Sequence, residues 1–465
     1  MAAASTAAST EVVDALRGSI AGDVIAPGGA GYDHARRVWN GVIDRSPAAI
    51  ARCTSTADVV EAVRLARAHH VELSIRGGGH QVAGSAVVDD ALVIDLSAMT
   101  GVHVDPVART ARVQAGARWR DVDRATQLFG LATTGGEVSQ TGVGGLTLGG
   151  GLGLLQRAFG LACDNLRSIE IVTADGVVRT ASSSEHSDLF WAARGAGRGL
   201  GVVTSFEFGL HQLGPEVAAA QVVYPYDEAE AVMRAWRDLA LTAPESVSPE
   251  LVLWSIPPDP ELPEDLHGMK VVMVAGLFAG DPAESVATLA PFKQLGTPLV
   301  DMSGTMPYAD LQSSMDEMFP DGGRYYFKSH FLDELTDEAI AAIVSRDRDR
   351  PNPGSLIGIR TLGGAIDRVT PDESAYAHRG ARFNLSIDVC WSDAADDEHV
   401  VGWARATWDA TRQFSNGGVY MNFAGFEGEA DVAREAVLGF DTARLERVLA
   451  EYDPTGVFSS AAQRP

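Results

Sequence analysis

Between about Tyr32 and Leu210, short runs of β-branched residues alternate with segments whose apolar positions recur at helical spacing, and glycine-rich turns separate them. TADVVEAVRLARAHH (56–70) places Val, Ala and Leu on one face behind a Thr/Asp start, which predicts a capped amphipathic helix. VELSIRGGG, which follows it, predicts a buried strand running into a tight glycine loop. ALVIDLS (91–97) and ARVQAG (111–116) predict two more strands, and RWRDVDRATQLF a helix over 118–129. In SIEIVTADGVVRTAS two alternating runs flank Asp175-Gly176, a pair suited to a tight two-residue hairpin turn. From about 216 to 414 the pattern mixes helices with strands such as ELVLWSI and MKVVMVAGLF, and the Pro-rich IPPDPELPED interrupts it. From 415 the chain holds GGVYMNF and a final helix, TARLERVLAEYDP. The first ten residues are rich in Ala, Ser and Thr and read as a frayed tail, so 1–31 counts as tail and lead-in.

A chain of 465 residues suits two or three domains with a large core. A hydrophobic share of 46% and a charged share of 21% are ordinary for a water-soluble protein. The formal charge of −25 argues against a nucleic-acid partner, because phosphate backbones need a basic face. No apolar run reaches the length of a membrane span. The start lacks the basic and apolar regions of a signal peptide, so the expected location is cytoplasmic. Cys53, Cys163 and Cys390 are far apart and in no metal-ligand spacing, so neither a disulfide framework nor a metal site is expected.

Glycine changes the picture more. The chain has 49, and they cluster. One cluster is Arg76-Gly77-Gly78-Gly79-His80-Gln81, followed by Gly84; the other spans 135–160 and contains GGEVSQTGVGGLTLGGGLGLL. Glycine at this density permits φ > 0 and lets backbone N–H groups converge on an anion such as a pyrophosphate. Tight turns and close packing are the alternative use of the same residues. The Gly-x-Gly-x-x-Gly dinucleotide fingerprint fails, because the sixth position is never glycine when counted from Gly77, Gly142, Gly149, Gly151, Gly197 or Gly199. A phosphate loop of the Gly-Lys-Ser/Thr kind fails too.

SIRGGGHQVAG, TGVGGLTLGGGLGLL, FGLACDNL, GLGVVTSFEF, YMNF and EYDPTGVF occur in an order that resembles the FAD-linked oxidases of the berberine-bridge-enzyme group. That group lies within the vanillyl-alcohol-oxidase/PCMH superfamily, and the resemblance runs from about residue 32 to 458. It implies an α+β fold: a PCMH-type FAD-binding domain of two α+β subdomains, and a substrate domain whose antiparallel sheet is flanked by helices. The expected boundaries are 32–215 for the FAD domain and 216–414 for the substrate domain, with 415–465 returning to complete the FAD domain.

The resemblance carries over to particular residues. The histidine of the family's R-[SG]-G-G-H motif bonds covalently to the flavin, and here it is His80. The expected cofactor contacts are Arg76, Gly77, Gly78, Gly79, Gln81 and Gly84 from the first loop. Gly136, Val138, Thr141, Gly142, Gly144, Gly145, Gly149 and Gly153 come from the second, and Asp164, Val203, Tyr420 and Asn422 from the later motifs. Many relatives add a cysteine bond to the flavin, but Val138 stands at that position, which leaves attachment through His80 only. Cys163 lies elsewhere in the pattern and is expected to pack. Thr141 falls where the family controls oxygen access, which favours O₂ as electron acceptor.

The sugar-oxidising relatives use a Y-x-N-Y pattern, whereas this chain has Tyr420-Met421-Asn422-Phe423, so its last hydroxyl is gone. Tyr420 stays a catalytic candidate, with substrate orientation, flavin contact and packing all open to it. Tyr325, Tyr326, Lys328 and His378 are further polar candidates. The implied activity is oxidation of a small hydroxylated or amine-bearing molecule by covalent FAD, with reoxidation by O₂ to H₂O₂. Oxygenase and dehydrogenase activity on the same fold, and a flavin-binding protein without activity, are the alternatives. The oligomeric state is left open.

Overall fold

The computed structural model describes residues 2–258, 264–426, 434–439 and 442–458. Parts of the Pro-rich stretch at 256–265 and of the C-terminal segment expected over 415–465 lie outside the described residues.

The first sheet has the order Asp23–Ile25, Ala49–Arg52, Leu92–Asp95, Leu73–Arg76. Its last three strands are parallel, and the helix Thr56–His69 makes one crossover. Ser55 caps that helix, its hydroxyl accepting from the Asp58 N–H at 3.3 Å. The parallel register sets Arg76 beside Asp95, so a buried ion pair forms where the strand enters the first glycine loop. The second sheet is antiparallel, in the order Val102–Asp105, Thr110–Gln114, Val202–Gly209, Leu166–Val172, Val178–Ser182. One hydrophobic core serves both sheets, and Leu445, Val448, Tyr452 and Phe458 from the end of the chain belong to it.

The third sheet has eight antiparallel strands within 216–391. Period-two alternation gives it two unlike faces. Leu251 and Leu253, Ile357 and Ile359, and Leu385, Ile387 and Val389 face a core built with the helices Ala229–Thr242, Asp337–Asp347 and Asp397–Thr411. The alternate positions, among them Glu250, Val252, Arg360 and Asp388, line a cavity against the first two sheets.

Two expectations need correction. The frayed tail is a helix, Ala2–Ser19, that packs on Thr56–His69. Val12, Val13 and Leu16 are buried in the first core, because Glu11–Ser19 carries an apolar stripe that the Ala/Ser/Thr-rich start conceals. Asp175-Gly176 does not make a two-residue turn: Val172 pairs with Val178, leaving 173–177 as the connection. The Asp175 carboxylate closes it by accepting from the Thr173 hydroxyl (2.7 Å) and the Val177 N–H (3.2 Å), so the Asp-Gly pair serves a longer loop.

Candidate active site

The two glycine clusters and the open face of the third sheet enclose a cavity of about 290 Å³. Gly78 and Gly142 are where the clusters cross: a Cβ on Gly78 would sit 2.4 Å from the Gly142 Cα, and one on Gly142 would sit 2.5 Å from the Gly78 nitrogen. Only two glycines allow that approach.

His80 leaves the first cluster as a wall residue. Its ring stacks on Trp39 at 4.5 Å between centroids, and Trp39 stacks in turn on Tyr325 at 3.8 Å. Asn40 ties the same loop to the sheet, its amide donating to the carbonyls of Val82 (2.7 Å) and Tyr325 (2.8 Å) and accepting from the Tyr325 N–H (3.0 Å). Burial, helped by the charge of Arg118, pushes the His80 imidazole down to about 3, so it is neutral. Its Nε2 is buried and has no hydrogen-bond partner among the described residues. A buried orphan nitrogen next to a glycine-lined cavity fits a ring system attached there and a pyrophosphate carried along the glycines.

Of the other predicted site residues, Gly77, Gly78, Gly79, Gln81, Gly136, Val138, Thr141, Gly142, Gly144, Gly145, Gly149, Val203, Tyr420 and Asn422 line this cavity. Arg76, Gly84, Gly153 and Asp164 stand outside it. Arg76 is held by Asp95 and by the carbonyls of Ala35 and Arg37. Gly84 has φ +75° and packs on Ile43. Gly153 lies so close to the Gly135 carbonyl that a Cβ would be 1.7 Å from its oxygen. Asp164 pairs with Arg379 at 2.6 Å and Arg194 at 3.6 Å. These four shape the loops from behind.

Tyr420 is fully buried, and its hydroxyl accepts from the Leu152 N–H (3.0 Å) and the Asn422 amide (2.9 Å). Burial pushes its phenol up to about 12, so it stays protonated. Tyr325, Tyr326, Lys328 and His378 do not line the cavity. Tyr325 supports Trp39, and Tyr326 belongs to the core on the sheet's helix side. Lys328 lies 4.1 Å above the Trp408 ring on that same side, and His378 stacks on Phe331. Cys163 is buried in a small apolar cluster with Leu152, Leu161 and Tyr376.

Four charged residues escaped the sequence analysis. The Arg360 guanidinium donates to both Glu137 oxygens at 2.6 Å and to the Ser386 hydroxyl at 2.8 Å, and it lies 3.6 Å from Glu250. The Ser386 hydroxyl donates to Asp388 at 2.9 Å. Burial and the nearby Glu137 push the Glu250 carboxyl up to about 8, and burial pushes Asp388 up to about 6. A signal was present: in ELVLW, LIGIRT and FNLSIDVCW a lone charge interrupts an apolar strand. A charge in such a place is buried and costly unless it is used.

Among the described residues, no helix is long and apolar enough to cross a membrane, and no group of three or more His, Cys, Asp or Glu could hold a metal ion.

Residues 47–182 match the FAD binding domain family. An FAD-linked oxidoreductase of Bacillus subtilis, YgaK, is 30% identical over 92% of this chain and 93% of its own. Among solved structures, 6-hydroxy-D-nicotine oxidase from Arthrobacter nicotinovorans superposes with a TM-score of 0.83 at 27% identity, covering 95% of this chain and 97% of that one. A variant of BBE-like 1 from Physcomitrella patens superposes with a TM-score of 0.86 at 23% identity, covering 96% and 97%.

Proposed function

Because this chain belongs to the FAD-linked oxidoreductases, we propose that it is an oxidase of the berberine-bridge-enzyme-like kind, acting on a small organic molecule with FAD bonded covalently through His80 alone. The observation that carries the covalent link is the His80 ring: buried, uncharged, and with an unpartnered nitrogen on the cavity wall. A neutral imidazole has the lone pair that such a bond needs. The stack on Trp39 and the Asn40 clamp hold that ring in one place.

Bound FAD would supply the redox chemistry, as acceptor of a hydride from substrate and donor of electrons to O₂. The chain's residues bind and orient. The crossing glycines leave room for the pyrophosphate, and Val138 supplies an apolar wall where no second attachment can form. Thr141, small and on the same wall, leaves O₂ a way in. Tyr420, held as a neutral phenol between Leu152 and Asn422, orients rather than accepts a proton.

Acid precipitation of the purified protein tests the link. Flavin fluorescence stays with the pellet of the native protein and passes to the supernatant of His80→Ala. A colourless native pellet sinks covalent attachment. Anaerobic mixing with a panel of small alcohols and amines tests the oxidase role, and bleaching of the flavin band by at least one member is expected. Oxygen uptake then matches peroxide formed.

A further inference from the structure

We propose that the sheet side of the cavity is a site for a substrate bearing a basic nitrogen, with Glu250 and Asp388 as the carboxylates that receive it. The inference rests on the oxidoreductase function above and narrows its substrate. Three carboxylates, Glu137, Glu250 and Asp388, face the cavity with a single guanidinium among them, Arg360. Arg360 is committed to Glu137 through two bonds of 2.6 Å, and it lies farther, at 3.6 Å, from Glu250. Its remaining donor goes to Ser386. Asp388 is only 4% exposed, and its Oδ1 has no hydrogen-bond partner among the described residues, although the residue lines the cavity. An orphaned carboxylate oxygen at that depth is costly unless a donor arrives.

The neighbouring walls are Val252, Phe327 and Leu356 from the same sheet, which suits an apolar body behind the nitrogen. The other titratable groups on the cavity wall are His80, Arg198 and Tyr420; His80 and Tyr420 are uncharged, and Arg198 sits between Gly197 and Gly199 in a third glycine run.

Proton balance sharpens the expectation. With its carboxyl raised to about 8, Glu250 carries a proton at neutral pH while the site is empty. A cation seated beside it favours the carboxylate, so the Glu250 proton leaves to solvent as the cation binds. Affinity for a cation therefore rises with pH between 6 and 8.

Benzamidine is a suitable probe, since its amidinium stays charged through pH 8 and carries N–H donors, with benzyl alcohol and benzoate as neutral and anionic comparisons. Calorimetric titration of the holoenzyme at pH 7, in buffers of different ionisation enthalpy, reads both affinity and proton release. The cation is expected to bind at least about tenfold more tightly than either comparison, with net proton release. Glu250→Gln abolishes the release and weakens the cation at least about tenfold; Asp388→Asn weakens it while release persists. Equal binding of benzyl alcohol or benzoate, no binding of the cation at millimolar concentration, or proton release unchanged in Glu250→Gln would each overturn the proposal. No step of this titration depends on turnover, so its failure is distinct from failure of the flavin to bleach with any substrate.

Discussion

Asp123 shows how one side chain can carry a pH dependence for the whole protein. It lies on the helix Trp119–Gln127 at 2% exposure, with Oδ2 unpartnered, near Tyr308 and Gln312 of the helix Tyr308–Ser313. Burial pushes its carboxyl up to about 8. The folded protein thus holds a proton that the unfolded chain releases near pH 4, and stability falls as pH rises from there toward 8. Asp123→Asn keeps the shape and removes the titration. It should raise unfolding free energy by about 1–3 kcal/mol at pH 8 and by almost nothing at pH 4, as urea denaturation at the two values would show. His80 and the crossing glycines were legible from sequence because their chemistry is concentrated in short motifs. Asp123 was not, and for Glu250, Arg360 and Asp388 a lone charge in an apolar strand marked burial but not the partners, which come from separate strands and, for Glu137 and Arg360, from positions 223 residues apart.

At the scale of elements, strands and helices with a regular period were legible to within a few residues. The helix expected at 56–70 spans Thr56–His69, and the final helix spans Ala443–Tyr452. Departures occurred where tertiary contact decided the outcome. The helix Ala2–Ser19 has weak local signals, but Leu16 is fully buried against the first core. Leu16→Ala should therefore cost about 2–5 kcal/mol, read as a lower urea midpoint with an unchanged slope. A cost under about 0.5 kcal/mol would mean that the helix adds little to the core. The long strands of the third sheet betray a buried face through their alternation, but periodicity alone does not say what the other face looks onto.

Across the whole molecule, polar ties join the first two sheets to the segments that carry the third at many points, Ser139–Asp316, Gln156–Thr361 and Asp164–Arg379 among them. Asn40 makes one hydrogen bond to the His80 loop, at Val82, and two to the strand Arg324–Leu332, at Tyr325, and the Trp39 indole donates to the Phe319 carbonyl at 2.9 Å. Glu137 and Arg360 form another tie across the cavity. Asn40→Ala removes a donor from the carbonyls of Val82 and Tyr325 and an acceptor from the Tyr325 N–H, and should cost about 2–4 kcal/mol. Flavin attachment to freshly refolded protein should slow in the same variant, measured as flavin retained in acid-precipitated pellets over time. Which modules meet was implied by the family resemblance; the residues joining them were not, because single Asn and Glu side chains carry no pattern.

The helix Ala443–Tyr452 and Phe458 fill the core shared by the first two sheets, yet they follow the entire third sheet in the chain. A ribosome therefore makes the first two sheets first, then the whole third sheet, and only afterwards the residues that close the first core. Until then the glycine loops rest on an unfinished support. Chains that stop short of these residues should therefore fail to retain FAD, however much of the third sheet they include.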